Sequence, residues 1–189
     1  PIIEAVRAEG DEALVRFGQE LDGSTLLSKE TLKVSEAEFA AAFAEVEEVV
    51  IEAIRYGIAN IRTFHEEQKP QTMWMKEIRP GAYAGDRITP IRSVAIYVPR
   101  GKGAFPSVTM MTTVPGVVAQ VPKLAIYTPP LPDGSVDSAT LVAASIAGVG
   151  TVYKCGGAQA VAAAAFGTET IERALKIVGP GSLWVVAAK

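Results

Sequence analysis

The chain has 189 residues, 49% of them hydrophobic and 21% charged, with a formal net charge of −3. This balance describes a globular protein able to bury a sizeable core in one or two domains, and its acidity argues against a nucleic-acid partner. No apolar run reaches the length of a membrane span, and the single cysteine, Cys155, excludes an internal disulfide and fits a reducing, cytoplasmic compartment. The opening residues lack the basic flank and cleavage site of a signal peptide. The chain opens and closes inside what read as helices, as a piece of something longer would.

The first half reads as helical. Ile3, Val6, Leu14, Phe17 and Leu21 fall near one helical face, with Gly10-Asp11 as a bend and a fresh N-cap. Asp22-Gly23-Ser24 ends that helix with turn chemistry. Leu32-Lys33-Val34 is too short to classify, whereas Ser35-Glu36-Ala37-Glu38 has the spacing of a capping box. Residues 45–68 form the longest helix. Val46, Val49, Val50, Ala53, Ile54, Gly57, Ile58, Ile61 and Phe64 make its apolar stripe, and Lys69-Pro70 stops it.

The one histidine, His65, lies at the margin of that stripe. His65-Glu66-Glu67-Gln68-Lys69 starts like a zinc-binding helix, but Lys69 stands where the second histidine belongs. With one His and one Cys, a catalytic zinc site made by this chain alone would need unusual ligands, so His65 is read as a capping or packing residue. Residues 73–78 and 82–88 then form a hairpin around Arg79-Pro80-Gly81, with its aromatics, Trp74 and Tyr83, expected in the core.

After Arg92 the pattern is strand, loop, helix, repeated. Strands are expected at 93–98, 123–128, 151–155 and 175–178. Helices are expected at 107–120, capped by Ser107 and kinked at Pro115-Gly116; at 139–147, capped by Asp137 or Ser138; at 158–166; and at 182–189. Short apolar strands alternating with helices predict an α/β fold, a Rossmann-like parallel sheet with helices on both faces. Residues 1–90 are read as a helical segment of a larger domain with a bridging hairpin. Residues 91–189 are read as a nucleotide-binding domain truncated at its C-terminus.

This arrangement sets three glycine-bearing loops on the carboxyl edge of the sheet, at 99–103, Gly156-Gly157 and Gly179-Pro180-Gly181. In open α/β sheets that edge binds ligands. The first loop carries the cations Arg100 and Lys102, but Pro106 spoils a dinucleotide fingerprint and Gly103 a P-loop. No Asp or Glu closes the second strand, which ends Tyr127-Thr128-Pro129-Pro130, so the usual acidic ribose ligand is missing there. Cys155 sits before the second loop, and alternation with Val152-Tyr153-Lys154 makes it a packed thiol rather than a nucleophile.

From Gly10-Asp11-Glu12-Ala13-Leu14, through Ile61-Arg62-Thr63-Phe64-His65-Glu66-Glu67-Gln68 and Tyr97-Val98-Pro99, to Cys155-Gly156-Gly157-Ala158-Gln159-Ala160, Ala165-Phe166-Gly167-Thr168-Glu169 and Gly179-Pro180-Gly181, the chain resembles histidinol dehydrogenase. The resemblance implies an NAD- and zinc-dependent homodimer acting on a small-molecule substrate. Such an enzyme oxidises histidinol through an aldehyde to histidine in two hydride transfers. Tyr97 and Gln159 match the family's NAD contacts, and Ser182 stands at a third such position, usually Asn. Pro99-Arg100-Gly101 replaces the usual Pro-Gly-Gly. The resemblance places the zinc ligands and the catalytic Glu-His pair downstream of Lys189, so no catalytic or metal residue is assigned within this chain. The alternatives are a dehydrogenase of the same family acting on another, anionic alcohol; a non-catalytic nucleotide- or metabolite-binding module; and an interaction domain whose helical half packs on a partner.

Overall fold

The computed structural model describes residues 1–100, 103 and 105–189. Gly101 and Lys102 of the first glycine loop, with Ala104, lie outside the described residues.

Four helices come first: α1 (Ile2–Glu9), α2 (Asp11–Glu20), α3 (Glu36–Glu45) and α4 (Glu48–Glu67). A hairpin follows, β1 (Met73–Arg79) and β2 (Ala82–Arg87). Alternation then sets in: β3 (Ser93–Tyr97), α5 (Pro106–Val118), β4 (Lys123–Thr128), α6 (Ser138–Ala147), β5 (Val152–Lys154), α7 (Gly157–Phe166), β6 (Lys176–Val178) and α8 (Leu183–Ala188). The four strands β3 to β6 form one parallel sheet in the order β5-β4-β3-β6. The chain runs outward from β3 to β5, then crosses back to place β6 on the other side of β3. Strand order therefore reverses beside β3, the place where such sheets open a ligand crevice.

Side-chain alternation along the strands builds two cores. Val94, Ile96, Ile126 and Val152 face one way, onto Ile51, Ile54 and Ile58 of α4, Val114 of α5 and Leu141 of α6. Ala95, Tyr97, Tyr127 and Tyr153 face the other way, onto Val6, Leu14, the alanines of α7 and Val185 of α8. The small side chains Ala160, Ala163 and Ala164, each at most 1% exposed, let α7 lie close to the sheet.

The segment Leu32-Lys33-Val34 covers the outer edge of β5. Lys33 bridges Tyr153 antiparallel, Val34 N–H donates to Val152 O at 2.9 Å, and Lys154 N–H donates to Leu32 O at 2.8 Å. An otherwise bare sheet edge is thereby paired. The capping box on α3 forms as the spacing predicts, with Ser35 N–H donating to Glu38 Oε2 at 2.9 Å. The same Glu38 carboxylate pairs with Lys154, which is only 3% exposed. Thus α3 is pinned to the strand that carries the second glycine loop.

The Gly10-Asp11 bend forms as expected: Gly10 is the N-cap of α2, and Asp11, its first helical residue, donates its amide to Glu169 Oε2 at 2.8 Å. Three local expectations are corrected. The N-cap of α5 is Phe105, one residue before Pro106, whose fixed φ suits the first helical position; Ser107 lies inside the helix. The long helix starts at Glu48, since Val46 is extended (φ −84°, ψ 129°), and its buried residues are Ile54, Ile58 and Ile51, the last absent from the expected stripe, while Val49 and Phe64 are exposed. Trp74 and Tyr83 are 47% and 62% exposed rather than in the core. Their hairpin is a separate two-stranded sheet, so both its faces meet water.

Candidate functional site

The site is organised by Tyr97, the last residue of β3. Its ring is buried, and its hydroxyl accepts the Gly157 N–H at 3.0 Å, satisfying one of the free amides at the start of α7. Burial raises the Tyr97 pKa and nearby Asp22 adds to the rise, while the Gly157 amide works against both. The phenol therefore stays protonated and keeps an O–H to donate. Two glycines make this packing possible. Gly157 has φ +60°, and a Cβ there would lie 2.5 Å from Gln159 Oε1. Gly179, after β6, has φ +114°, and its Cβ would lie 2.1 Å from Tyr97 O. Neither spot admits a side chain.

Gln159, one turn into α7, is 1% exposed. Its Nε2 donates to Asp22 Oδ2 at 3.4 Å, and its Oε1 is buried with no hydrogen-bond partner among the described residues. A buried acceptor left unpaired costs about 1–3 kcal/mol. Oε1 is thus poised for a donor supplied from outside.

Tyr97 and Gln159 are brought together around Gly157. Ser182 lies beyond the Gly179-Pro180-Gly181 loop on the same edge, at the N-cap position of α8, but its side chain is exposed and makes no capping bond. Arg100, exposed at the rim, donates to Pro130 O and so ties the loop after β3 to the end of β4. Lys102 lies outside the described residues.

Sequence reasoning missed Asp22. It follows α2 and reads as an ordinary helix-ending turn, yet the fold carries it to the carboxyl edge of the sheet. Burial pushes its pKa up to about 6, with Arg100, the Gly156 amide and Gln159 pulling the other way. The one available signal was indirect: the second strand ends in Tyr127-Thr128-Pro129-Pro130 without an acid.

Cys155 is 1% exposed, and burial drives its thiol far above its ordinary pKa, with Asp22 and Asp11 adding to the effect. It is a packed, protonated thiol, as alternation predicts. His65 lies at the far end of the molecule, its Nδ1 hydrogen-bonded to Gln68 Oε1 at 2.7 Å. It borders an apolar cavity of about 350 Å³ with Pro70, Ile88, Pro115 and Val118, at the amino edge of the sheet. Among the described residues no group of three or more His, Cys, Asp or Glu side chains could hold a metal ion, and no helix is long and apolar enough to cross a membrane.

Comparison with known proteins agrees with this architecture. The family model described as histidinol dehydrogenase matches residues 1–189. The chain is 73% identical to a histidinol dehydrogenase homolog of Cereibacter sphaeroides, over 100% of this chain and 43% of that protein. It is 47% identical to a histidinol dehydrogenase of Halalkalibacterium halodurans, again over 100% of this chain and 43% of that protein. A crystal structure of histidinol dehydrogenase from Elizabethkingia anophelis superposes with a TM-score of 0.93 at 36% identity, covering 100% of this chain and 42% of that one. The chain therefore spans less than half the length of these relatives.

Proposed function

Because the chain belongs to the histidinol dehydrogenase family, we propose that it is the NAD-binding portion of an oxidoreductase that converts L-histidinol through its aldehyde to L-histidine. The observation that carries the NAD assignment is the buried, unpartnered Gln159 Oε1 beside Gly157 and the Tyr97 hydroxyl. Bound there, NAD supplies the hydride acceptor for each of the two oxidations.

This chain's residues hold and orient. Gln159 Oε1 would accept a hydrogen bond from a cofactor hydroxyl or amide and so be relieved of its unpaired state. Tyr97, fixed by the Gly157 amide, would donate a hydrogen bond from its O–H to a cofactor oxygen. Ser182 offers a shorter, exposed hydroxyl as a third contact. The two glycines keep the backbone of this corner open to close approach. The reading assigns no proton-transfer base and no zinc ligand to this chain. Those roles fall to the length of the relatives that it does not span. A cytoplasmic homodimer is part of the same proposal.

A second reading keeps the chemistry and changes the alcohol. Four relatives at 55–73% identity are called histidinol dehydrogenase homologs, while four called simply histidinol dehydrogenase stand at 43–47%. Arg100 adds a cation at the rim that could receive an anionic substrate. The test is NADH formation by the complete gene product carrying these residues. Two NADH per L-histidinol support the first reading. Turnover of anionic alcohols with none of histidinol supports the second. No NAD reduction with either overturns both.

A further inference from the structure

Dinucleotide sheets place an acidic residue at the end of the strand next to the central one, where it accepts the hydroxyls of the adenine ribose. Here β3 is central, β4 is that neighbour, and β4 runs into Pro129-Pro130 with no acid. Asp22 fills the same corner from a distant part of the chain. A Cβ built on Gly156 would lie 2.6 Å from Pro129 Cγ and 3.1 Å from Asp22 Oδ1, so the carboxylate and the end of β4 flank one point. The Asp22 Oδ2 is held by Gln159 Nε2, and that bond is what turns the unpartnered Gln159 Oε1 the other way. Arg100, fixed to Pro130 O, bounds the corner on its third side.

We propose that Asp22 is the ribose-hydroxyl ligand of the NAD site, supplied by the helical first segment instead of by the sheet, and that it sets the preference for NAD over NADP. The inference rests on the NAD reading above. Three features fit it together. The carboxylate is shielded yet lies on the ligand edge. It is oriented by a residue that itself awaits a ligand donor. The strand that ordinarily supplies this acid lacks one. A second phosphate on the ribose would meet the carboxylate directly, and like charges at that distance repel.

The experiment is calorimetric titration of the complete gene product carrying these residues with NAD and with NADP, for the native protein and for Asp22→Asn, with thermal melting to confirm folding. Asp22→Ser serves in its place if the amide variant does not fold. The native chain should bind NAD more tightly than NADP. In the variant, NAD affinity should fall about tenfold, equivalent to about 1.4 kcal/mol. Affinity for NADP should hold or rise, narrowing the preference. A native chain that binds NAD while the variant keeps the same NAD affinity and preference would overturn the role of Asp22 and leave the NAD reading intact. A native chain that binds neither nucleotide would overturn the NAD reading, and this inference with it.

Discussion

The Glu38–Lys154 pair allows the sharpest mechanical test of how the N-terminal helices support the site. Lys154 is 3% exposed, so its ammonium depends on the Glu38 carboxylate, whereas the Glu38 side chain is 32% exposed and reaches water. The two deletions should therefore differ. Glu38→Gln strands a buried cation. Breaking a buried pair in this sense costs about 3–5 kcal/mol, and partial access of water at Glu38 sets the expectation near 3 kcal/mol. Glutamine still suits the capping box, so little of that loss comes from the cap. Lys154→Met instead removes the buried charge, replaces it with a side chain of similar length, and leaves a carboxylate that water can solvate. Its cost should be about 1 kcal/mol or less.

Burial tends to raise the Glu38 pKa, but Lys154 and the Ser35 donors outweigh it and leave it below the ordinary carboxylate value. A depressed carboxylate stabilises above its unfolded pKa and loses that contribution as pH falls through the folded one. The gap between the native chain and Glu38→Gln should therefore close in acid. Urea unfolding of the three proteins at neutral and acidic pH reads both effects. Equal losses for the two variants, or a larger loss for Lys154→Met, would refute the reasoning.

Three further outcomes are expected. Cys155→Ser should cost about 1–3 kcal/mol in urea unfolding, because a hydroxyl replaces a packed thiol without a partner, and native Cys155 should react with alkylating reagents only as fast as the chain unfolds. Arg100→Gly should weaken NAD binding at low ionic strength, with the difference shrinking as salt screens the rim; equal affinity at low salt would make Arg100 a solvated loop charge. Asp22 is faced by Arg100, Gln159, the Gly156 amide, Tyr97 and Cys155, and its pKa is raised to about 6. Its contribution to stability should be present in acid and lost as pH rises through about 6, a step that Asp22→Asn removes from the pH profile of thermal melting.

The parallel sheet was legible because its strands are short, apolar and punctuated by Gly and Pro, and β4 was placed to the residue. The capping box of α3 and the helix stop at Gly148 follow from local chemistry alone. What escaped was long-range. Leu32-Lys33-Val34 has no strand character until β5 offers it an edge. Trp74 and Tyr83 look like core residues because alternation does not say whether a hairpin has anything to pack on. Tyr97 and Gln159 could be marked from the family's pattern, but their junction at Gly157 depends on a left-handed glycine. Asp22 was invisible for the same reason: a turn acid acquires meaning only when folding sets it beside Gly156.

The central claim is that the carboxyl edge around Gln159 receives NAD. Gln159→Leu tests it most directly, since it removes the orphaned acceptor while keeping side-chain volume similar. Relief of the unpaired Oε1 and loss of the Nε2 hydrogen bond to Asp22 oppose each other, so stability should change by no more than about 1 kcal/mol. The same change should weaken NAD binding by about tenfold or more, as loss of a hydrogen bond worth about 1.4 kcal/mol requires. Paired thermal melting and NAD titration would separate the small change in stability from the large loss of affinity. Undiminished NAD affinity in a folded Gln159→Leu chain would contradict the account.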